Sequence, residues 1–92
     1  MWEVLETMRV ISQHGNVDLP YEQIVVCHAM ESVIALFNGE KYVLGEYSSK
    51  EKAYKAMEML RGAWINEAIE FTHGIYHRNI VFQFPQDNEI EV

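Results

Sequence analysis

Cysteine is the scarcest reactive residue in this chain of 92 residues, which contains only Cys27. A single cysteine excludes an intrachain disulfide, and this suits a reducing cytoplasm. Long apolar runs are also missing, because the longest, residues 24–27 and 33–37, fall far below the roughly 20 residues that cross a bilayer. No basic segment of the kind that opens a signal peptide stands at the start. These absences predict a protein of the cytoplasm with no membrane partner.

Positive charge is scarce as well. Seven Lys and Arg residues stand against 14 Asp and Glu residues, so the net charge is −7 and the isoelectric point is about 4.9. A protein that grips a phosphate backbone needs a basic stripe, so the composition argues against a nucleic-acid partner. The lysines at 50, 52 and 55 alternate with Glu51 and Glu58 along one predicted helix, which indicates a solvated helix face.

The remaining composition is that of a small globular domain. Apolar residues make up 49% and charged residues 23% of the chain. We find no internal repeat and no low-complexity linker, so we expect a single domain over residues 1–92. The tail, residues 86–92, is acidic and is predicted to be frayed.

One long helix is the clearest predicted element. Ser48 and Glu51 have the spacing of a capping box, in which each side chain satisfies the other residue's backbone N–H. Residues of an apolar stripe then recur at helical spacing: Ala53, Ala56, Met57, Leu60, Ala63, Trp64, Ala68 and Phe71. Gly74 is a natural stop. The pattern predicts a helix from about Ser49 to Thr72 with Ser48 as its N-cap.

Strands are predicted on both sides of that helix, at Met8–Ser12, Gln23–Met30, Val33–Phe37, Lys41–Glu46 and Asn79–Phe84. The third and fourth flank Asn38-Gly39, a strong signal for a two-residue hairpin turn. An order of strands, then a helix, then a last strand is typical of an α+β fold. We expect an antiparallel sheet of about five strands with one long helix packed across one face.

Three segments of the chain resemble small proteins of phages and mobile elements in Gram-positive bacteria. The central segment is Val43-Leu44-Gly45-Glu46-Tyr47-Ser48-Ser49-Lys50-Glu51-Lys52-Ala53, similar to a Leu-Gly-x-Tyr-x-Ser-x-Glu-x-Ala motif that opens a helix. The early segment is Arg9-Val10-Ile11-Ser12-Gln13-His14-Gly15, and the late one is Phe82-Gln83-Phe84-Pro85. The resemblance covers about two thirds of the chain and implies a fold and a bacterial host cell. It implies no chemistry, because that family has no settled function.

Metal ligation has one weak candidate. His73 and His77 are four residues apart, a spacing that binds metal on a helix. Gly74 lies between them near the predicted helix end, so a polar connecting loop is the favoured interpretation. We expect no metal and no cofactor.

No catalytic constellation is visible in the sequence. Cys27 and His28 are neighbours on a predicted strand and therefore point to opposite faces, whereas a thiol nucleophile needs its base on the same side. We expect Cys27 to be buried and inert. Ser48 and Ser49 lack the flanking glycines of a nucleophile elbow and are predicted to cap the helix. The sequence therefore predicts no enzyme.

Arg61, Trp64 and Arg78 form the one combination suited to a small ligand. An indole stacks on a nucleotide base, and a guanidinium binds phosphate. The alternative, that Trp64 belongs to the core, is the favoured one.

Self-association is predicted for the second half of the helix. The apolar surface here is wider than one sheet can cover. It includes Trp64, Ile65 and Ile69, with Tyr76 just beyond the helix. A two-fold homodimer is the commonest way to cover such a patch. The rival is a flap, residues 74–79, that folds back over the same side chains.

Three function classes remain at this point. The first is a non-catalytic interaction protein of phage type that binds a protein partner, in one form as an inhibitor of host defence. The second is a small-molecule protein that sequesters a nucleotide signal. An enzyme ranks last, because the sequence offers no site for one.

Overall fold

The computed structural model describes the backbone of residues 7–72 and 79–92, and the side chains of residues 8–65 and 81–92. Two short 3₁₀ turns accompany the strands and the helix. The elements in chain order are β1 (Thr7–Ile11), β2 (Asp18–Pro20), a 3₁₀ turn (Tyr21–Gln23), β3 (Val25–Ala29), β4 (Ser32–Phe37), β5 (Glu40–Glu46), α1 (Lys50–Thr72), β6 (Asn79–Gln83) and a second 3₁₀ turn (Asp87–Glu89).

The strands form two three-stranded sheets, so the predicted single sheet of about five antiparallel strands is wrong. The first sheet has the order β2-β1-β6, in which β1 is antiparallel to β2 but parallel to β6. The second sheet, β3-β4-β5, is antiparallel throughout. Parallel neighbours need a long crossover, and here all of β3 to α1 lies between β1 and β6. The α+β class and one long helix are confirmed within residues 7–72 and 79–92.

The hairpin between β4 and β5 turns where it was predicted. Asn38 and Gly39 both have positive φ, at 52° and 80°, as a type I′ turn requires. Phe37 pairs with Glu40 directly beside the turn. Local turn chemistry therefore sets the register of the second sheet.

One hydrophobic core lies between α1 and the two sheets. The helix contributes Ala53, Ala56 and Leu60 from the predicted stripe, all buried. Two of these side chains are small, so the helix backbone approaches the sheets closely. The other buried apolar residues come from both sheets and from the two segments that follow β5 and β6: Met8, Val10, Leu19, Val33, Ala35, Leu44, Tyr47, Phe84 and Ile90.

A buried amide joins three distant segments of the chain. The Gln13 side chain is nearly inaccessible, at 5% exposure for the residue. Its Oε1 accepts from the Glu46 N–H at 3.1 Å, and its Nε2 donates to the Glu46 carbonyl at 3.2 Å and to the Pro85 carbonyl at 3.2 Å. We call Gln13, Glu46, Tyr47 and Pro85 the polar lock. The side-chain amide forms hydrogen bonds with the backbone at the end of β5, as a neighbouring strand would.

Tyr47 completes the polar lock. Its hydroxyl donates to the Pro85 carbonyl at 2.9 Å, and its ring is buried. The ring lies over Gly45, where any Cβ would come within 2.8 Å of the Tyr47 side chain. This explains the glycine two residues before the tyrosine in the motif: a larger residue at position 45 would displace the ring.

The turn after β1 presents Gln13 to the lock. The buried Ser12 hydroxyl accepts from the backbone N–H groups of Asn16 and Val17, at 3.2 and 3.1 Å, and donates to the Asn16 side chain at 2.8 Å. Gly15 has φ of 80°, a conformation that favours glycine. The Ser-Gln-His-Gly segment is therefore a structural turn.

The C-terminal segment is anchored, so the predicted frayed tail is wrong for most of its length. The Gln86 side chain donates to the Gln13 carbonyl at 2.8 Å, and Ile90 is only 4% exposed in the core. Asp87 also bonds to the start of the helix. This anchoring was not predicted, because the buried residue of the segment, Ile90, stands alone between acidic residues.

The helix cap is Ser49, one residue later than predicted. The Ser49 hydroxyl accepts from the Lys52 N–H at 3.2 Å, and α1 begins at Lys50. The Ser48 N–H instead donates to Asp87 at 2.8 Å, and Lys52 lies 3.4 Å from the same carboxylate. The bond from the Ser48 N–H lowers the pKa of Asp87 against the smaller, opposite effect of desolvation, and the Ser48 hydroxyl and then Lys52 lower it further. The predicted capping box is replaced by this long-range contact.

We predict that Ser49→Ala lowers the free energy of unfolding by about 1 kcal/mol, because an N-cap hydroxyl is lost. Ser48→Ala is the matched control and should cost less than about 0.5 kcal/mol, since the larger of its contacts to Asp87, from the backbone N–H, survives. Urea unfolding of both variants checks this. A larger loss for Ser48→Ala than for Ser49→Ala would return the cap to Ser48.

Tyr47 predicts a pH dependence of stability. Burial, followed by the charges of Asp87 and Glu89, raises the pKa of Tyr47 to about 12. An unfolded tyrosine ionises near pH ~10, so between that pH and the folded pKa the unfolded state loses its proton first. The free energy of unfolding should therefore fall as the pH rises through this window.

Tyr47→Phe isolates this effect. It lacks the ionising group, so its stability should fall less steeply over the same pH window than that of the wild type. Urea midpoints measured on both proteins below and within the window give the comparison. Parallel pH profiles would contradict a tyrosine that stays protonated in the fold.

Candidate protein-interaction surface

The second sheet has apolar side chains on both faces. One face packs on α1 through residues such as Val33 and Ala35, which are fully buried. Because side chains alternate along paired strands, the opposite side presents a second apolar set, which we call the outer face: Val25, Cys27, Ile34, Leu36 and Val43. Val25 is 60% exposed, Leu36 42% and Val43 47%. Exposed apolar residues gathered on one sheet face mark an interaction surface.

Charged residues lie at the two ends of the outer face. Lys41 pairs with Leu36 at one end, and Glu46 pairs with Ser32 at the other. Both charged side chains are exposed. The surface therefore has an apolar centre with a cation at one end of β5 and a carboxylate at the other.

A shallow cavity of about 200 Å³ adjoins the outer face beside β5. His14 and Asn16 line it from the turn after β1, and Val43 and Glu46 line it from β5. His14 is exposed, and Glu46 is the other ionisable residue in the lining. The cavity has a carboxylate at its edge and the size of one side chain, so it suits a docked cation better than a substrate.

Cys27 lies on the outer face and is only half-buried, so the prediction of a buried cysteine is wrong. Cys27 was expected to be buried because it follows the apolar residues 24–26 on a predicted strand, whereas successive residues of that strand lie on opposite faces. His28 points to the helix side, where its ring lies 6.0 Å from that of Tyr54. The expectation that the two neighbours face opposite ways is confirmed.

Trp64 packs against the fold as a half-buried residue. Its ring lies 5.2 Å from that of Tyr21, tilted by 39°, at the border of the core. Arg61 is exposed on the helix, and Arg78 lies outside the described residues. The aromatic contact favours the core interpretation of Trp64, and the group of Arg61, Trp64 and Arg78 stays a prediction.

Only part of the predicted helix interface lies among the side chains that the structure describes. Ile65 is 50% exposed, as that interface requires, whereas Trp64 is engaged with Tyr21. The side chain of Ile69 and all of Tyr76 lie outside the described residues. A dimer through the late helix stays a prediction.

The candidate pair of metal ligands lies outside the described residues. His73 and His77 fall in the undescribed residues 73–78. Among the residues that the structure describes, no group of three or more His, Cys, Asp or Glu side chains is placed to hold a metal ion.

The outer face was not predicted, because the expected fold was one sheet with a helix across one face. A signal was present: residues 24–27 and 33–37 are apolar without alternation, and such runs are typical of strands with two apolar faces. In a chain this small, one helix covers only one side of a sheet. The second apolar side then remains for solvent or a partner.

Within residues 7–72 and 79–92, no helix is long and apolar enough to cross a membrane. Comparison of the chain with protein-family models, curated proteins and solved structures gave no match. The argument for function therefore depends on the surfaces and contacts of this fold.

Proposed function

We propose that this chain is a non-catalytic interaction protein that binds a protein partner through the outer face of its second sheet. The observation that carries the proposal is the exposure of Val25, Leu36 and Val43 on one face of three paired strands. Burying half of such a side chain contributes about 1 kcal/mol, so the three together supply several kcal/mol of binding energy.

The polar lock supports a binding role because it keeps this surface in one shape. Gln13 fixes the end of β5 through two bonds to Glu46, and Tyr47 continues the connection to the C-terminal segment. A surface already held in its bound conformation loses little conformational entropy when a partner docks. The buried polar groups thus serve the binding surface by holding its edge strand.

The other function classes find less support among the described residues. Cys27 and His28 lie on opposite faces, so they do not form a nucleophile and base pair. Trp64 packs against Tyr21 at the border of the core, which supports a structural role over a nucleotide site. We therefore rank protein binding above small-molecule binding and above catalysis.

The biological setting is proposed from the resemblance alone. The motif segments resemble those of small proteins of phages and mobile elements, so the partner on this view is a protein of the bacterial host cell or of the element itself. Interference with a host defence protein is one form of that role.

Cys27 provides a built-in reporter of the outer face, because the chain has no second thiol. The rate of Cys27 labelling by a maleimide should be fast in dilute protein. It should fall when the face is covered, either in concentrated pure protein or after addition of a Gram-positive bacterial lysate. The double variant Leu36→Glu with Val43→Glu should abolish that protection, since it places charges in the apolar centre.

Tyr54→Glu is the matched control, because Tyr54 is an equally exposed apolar residue on the helix, at 51%. It should retain the protection. A protecting lysate protein should then form a complex of fixed stoichiometry with the wild-type chain after purification. Unchanged labelling in every condition would contradict the proposed function.

A further inference from the structure

We propose that the partner on the outer face is a second copy of this chain, packed face to face about a two-fold axis with its strands antiparallel to those of the first. This inference rests on the proposed function, since it names the occupant of the same surface. The evidence is the arrangement of side chains in rows across the three strands.

Three rows cross the outer face. The first row is Val25, Leu36 and Lys41, the middle row is Cys27, Ile34 and Val43, and the third row is Ala29, Ser32 and Glu46. The first row therefore has two large apolar residues and a cation, whereas the third has two small residues and an anion.

A two-fold axis along the middle row places the first row of one copy over the third row of the other. Leu36 then lies over Ser32 and Val25 over Ala29, so large side chains meet small ones and the sheets stay evenly spaced, about 10 Å apart. The middle row lies over itself. This self-complementarity is what an interface between two identical surfaces needs.

Charge gives the same arrangement. With this axis, Lys41 of each copy lies over Glu46 of the other, and the pair occurs twice. An axis parallel to the strands would set Lys41 over Val25 and Glu46 over Ala29, which leaves both charges without a partner against apolar groups. For a chain with a net charge of −7, a lysine in register with a carboxylate of the second copy favours the antiparallel arrangement.

The cavity beside β5 accommodates this contact. Glu46 lines its edge, and its volume of about 200 Å³ is large enough for the end of a lysine side chain. In the antiparallel arrangement Lys41 of the second copy approaches from above the third row, toward that carboxylate. The cavity thus receives the ammonium group of Lys41 from the second copy.

A charge exchange tests the register of the two copies. Lys41→Glu or Glu46→Lys alone should weaken self-association roughly tenfold or more, because each sets like charges together twice. The double variant Lys41→Glu with Glu46→Lys should restore most of it. Sedimentation velocity over a range of protein concentrations measures all four proteins. Single variants that associate like the wild type, or a double variant that is no better than the singles, would overturn the inference.

Protection of Cys27 tests the position of the axis. The two Cys27 residues lie opposite each other in the middle row, so maleimide labelling should slow over the same range of protein concentration in which the dimer forms. Leu36→Glu with Val43→Glu should remove this protection, and Ile65→Glu on the late helix should not. A dimer that Ile65→Glu disrupts, and in which Cys27 reacts as fast as in the monomer, would move the interface to the helix and overturn the inference.

The result for the occupant is separate from the result for the surface. A monomer whose Cys27 is protected only by lysate would overturn the second copy as partner and leave the proposed function in place. A monomer whose Cys27 is protected in no condition would overturn both.

Discussion

The side-chain amide of Gln13 is the contact on which the arrangement of this protein depends. Its two bonds to Glu46 attach the second sheet to the turn that follows the first, and its bond to Pro85 attaches the segment after β6. Tyr47 reaches the same proline carbonyl. The early, central and late motif segments therefore meet at one place, and structure explains three of their features: an amide, a glycine that admits a ring, and a carbonyl before the final turn.

Local features were predictable from the sequence, and long-range pairings were not. The helix from Lys50 and the turn at Asn38-Gly39 follow from short spacings, because each is decided by neighbouring residues. The parallel pairing of β1 with β6 joins residues about 70 positions apart, as in Val10 with Phe82, and alternation alone does not specify a strand's partner. The shift of the helix cap to Ser49 has the same origin, since Asp87 binds the Ser48 N–H from far along the chain.

The candidate surface exists because the strands are divided between two sheets. If all the strands had formed one sheet, the helix would have had a single broad face to cover. With two sheets around it, α1 covers one side of β3-β4-β5 and leaves Val25, Leu36 and Val43 exposed. The sequence pointed instead to the late helix, where Ile65 is exposed but Trp64 packs on Tyr21. The sequence shows which residues are apolar. The face of the sheet or helix on which each one lies depends on strand pairings that the sequence did not specify.

The stability of Gln13→Glu at two pH values tests the role of the amide most directly. A carboxylate of the same shape still accepts from the Glu46 N–H, but it faces the carbonyls of Glu46 and Pro85 without a hydrogen to donate. We predict a loss of at least about 2 kcal/mol in the free energy of unfolding at neutral pH, with the exposed Gln23→Glu unaffected. The fold should raise the pKa of the introduced carboxyl, so the deficit should shrink as the pH falls and the group regains a proton. A Gln13→Glu protein as stable as the wild type at neutral pH would contradict the account.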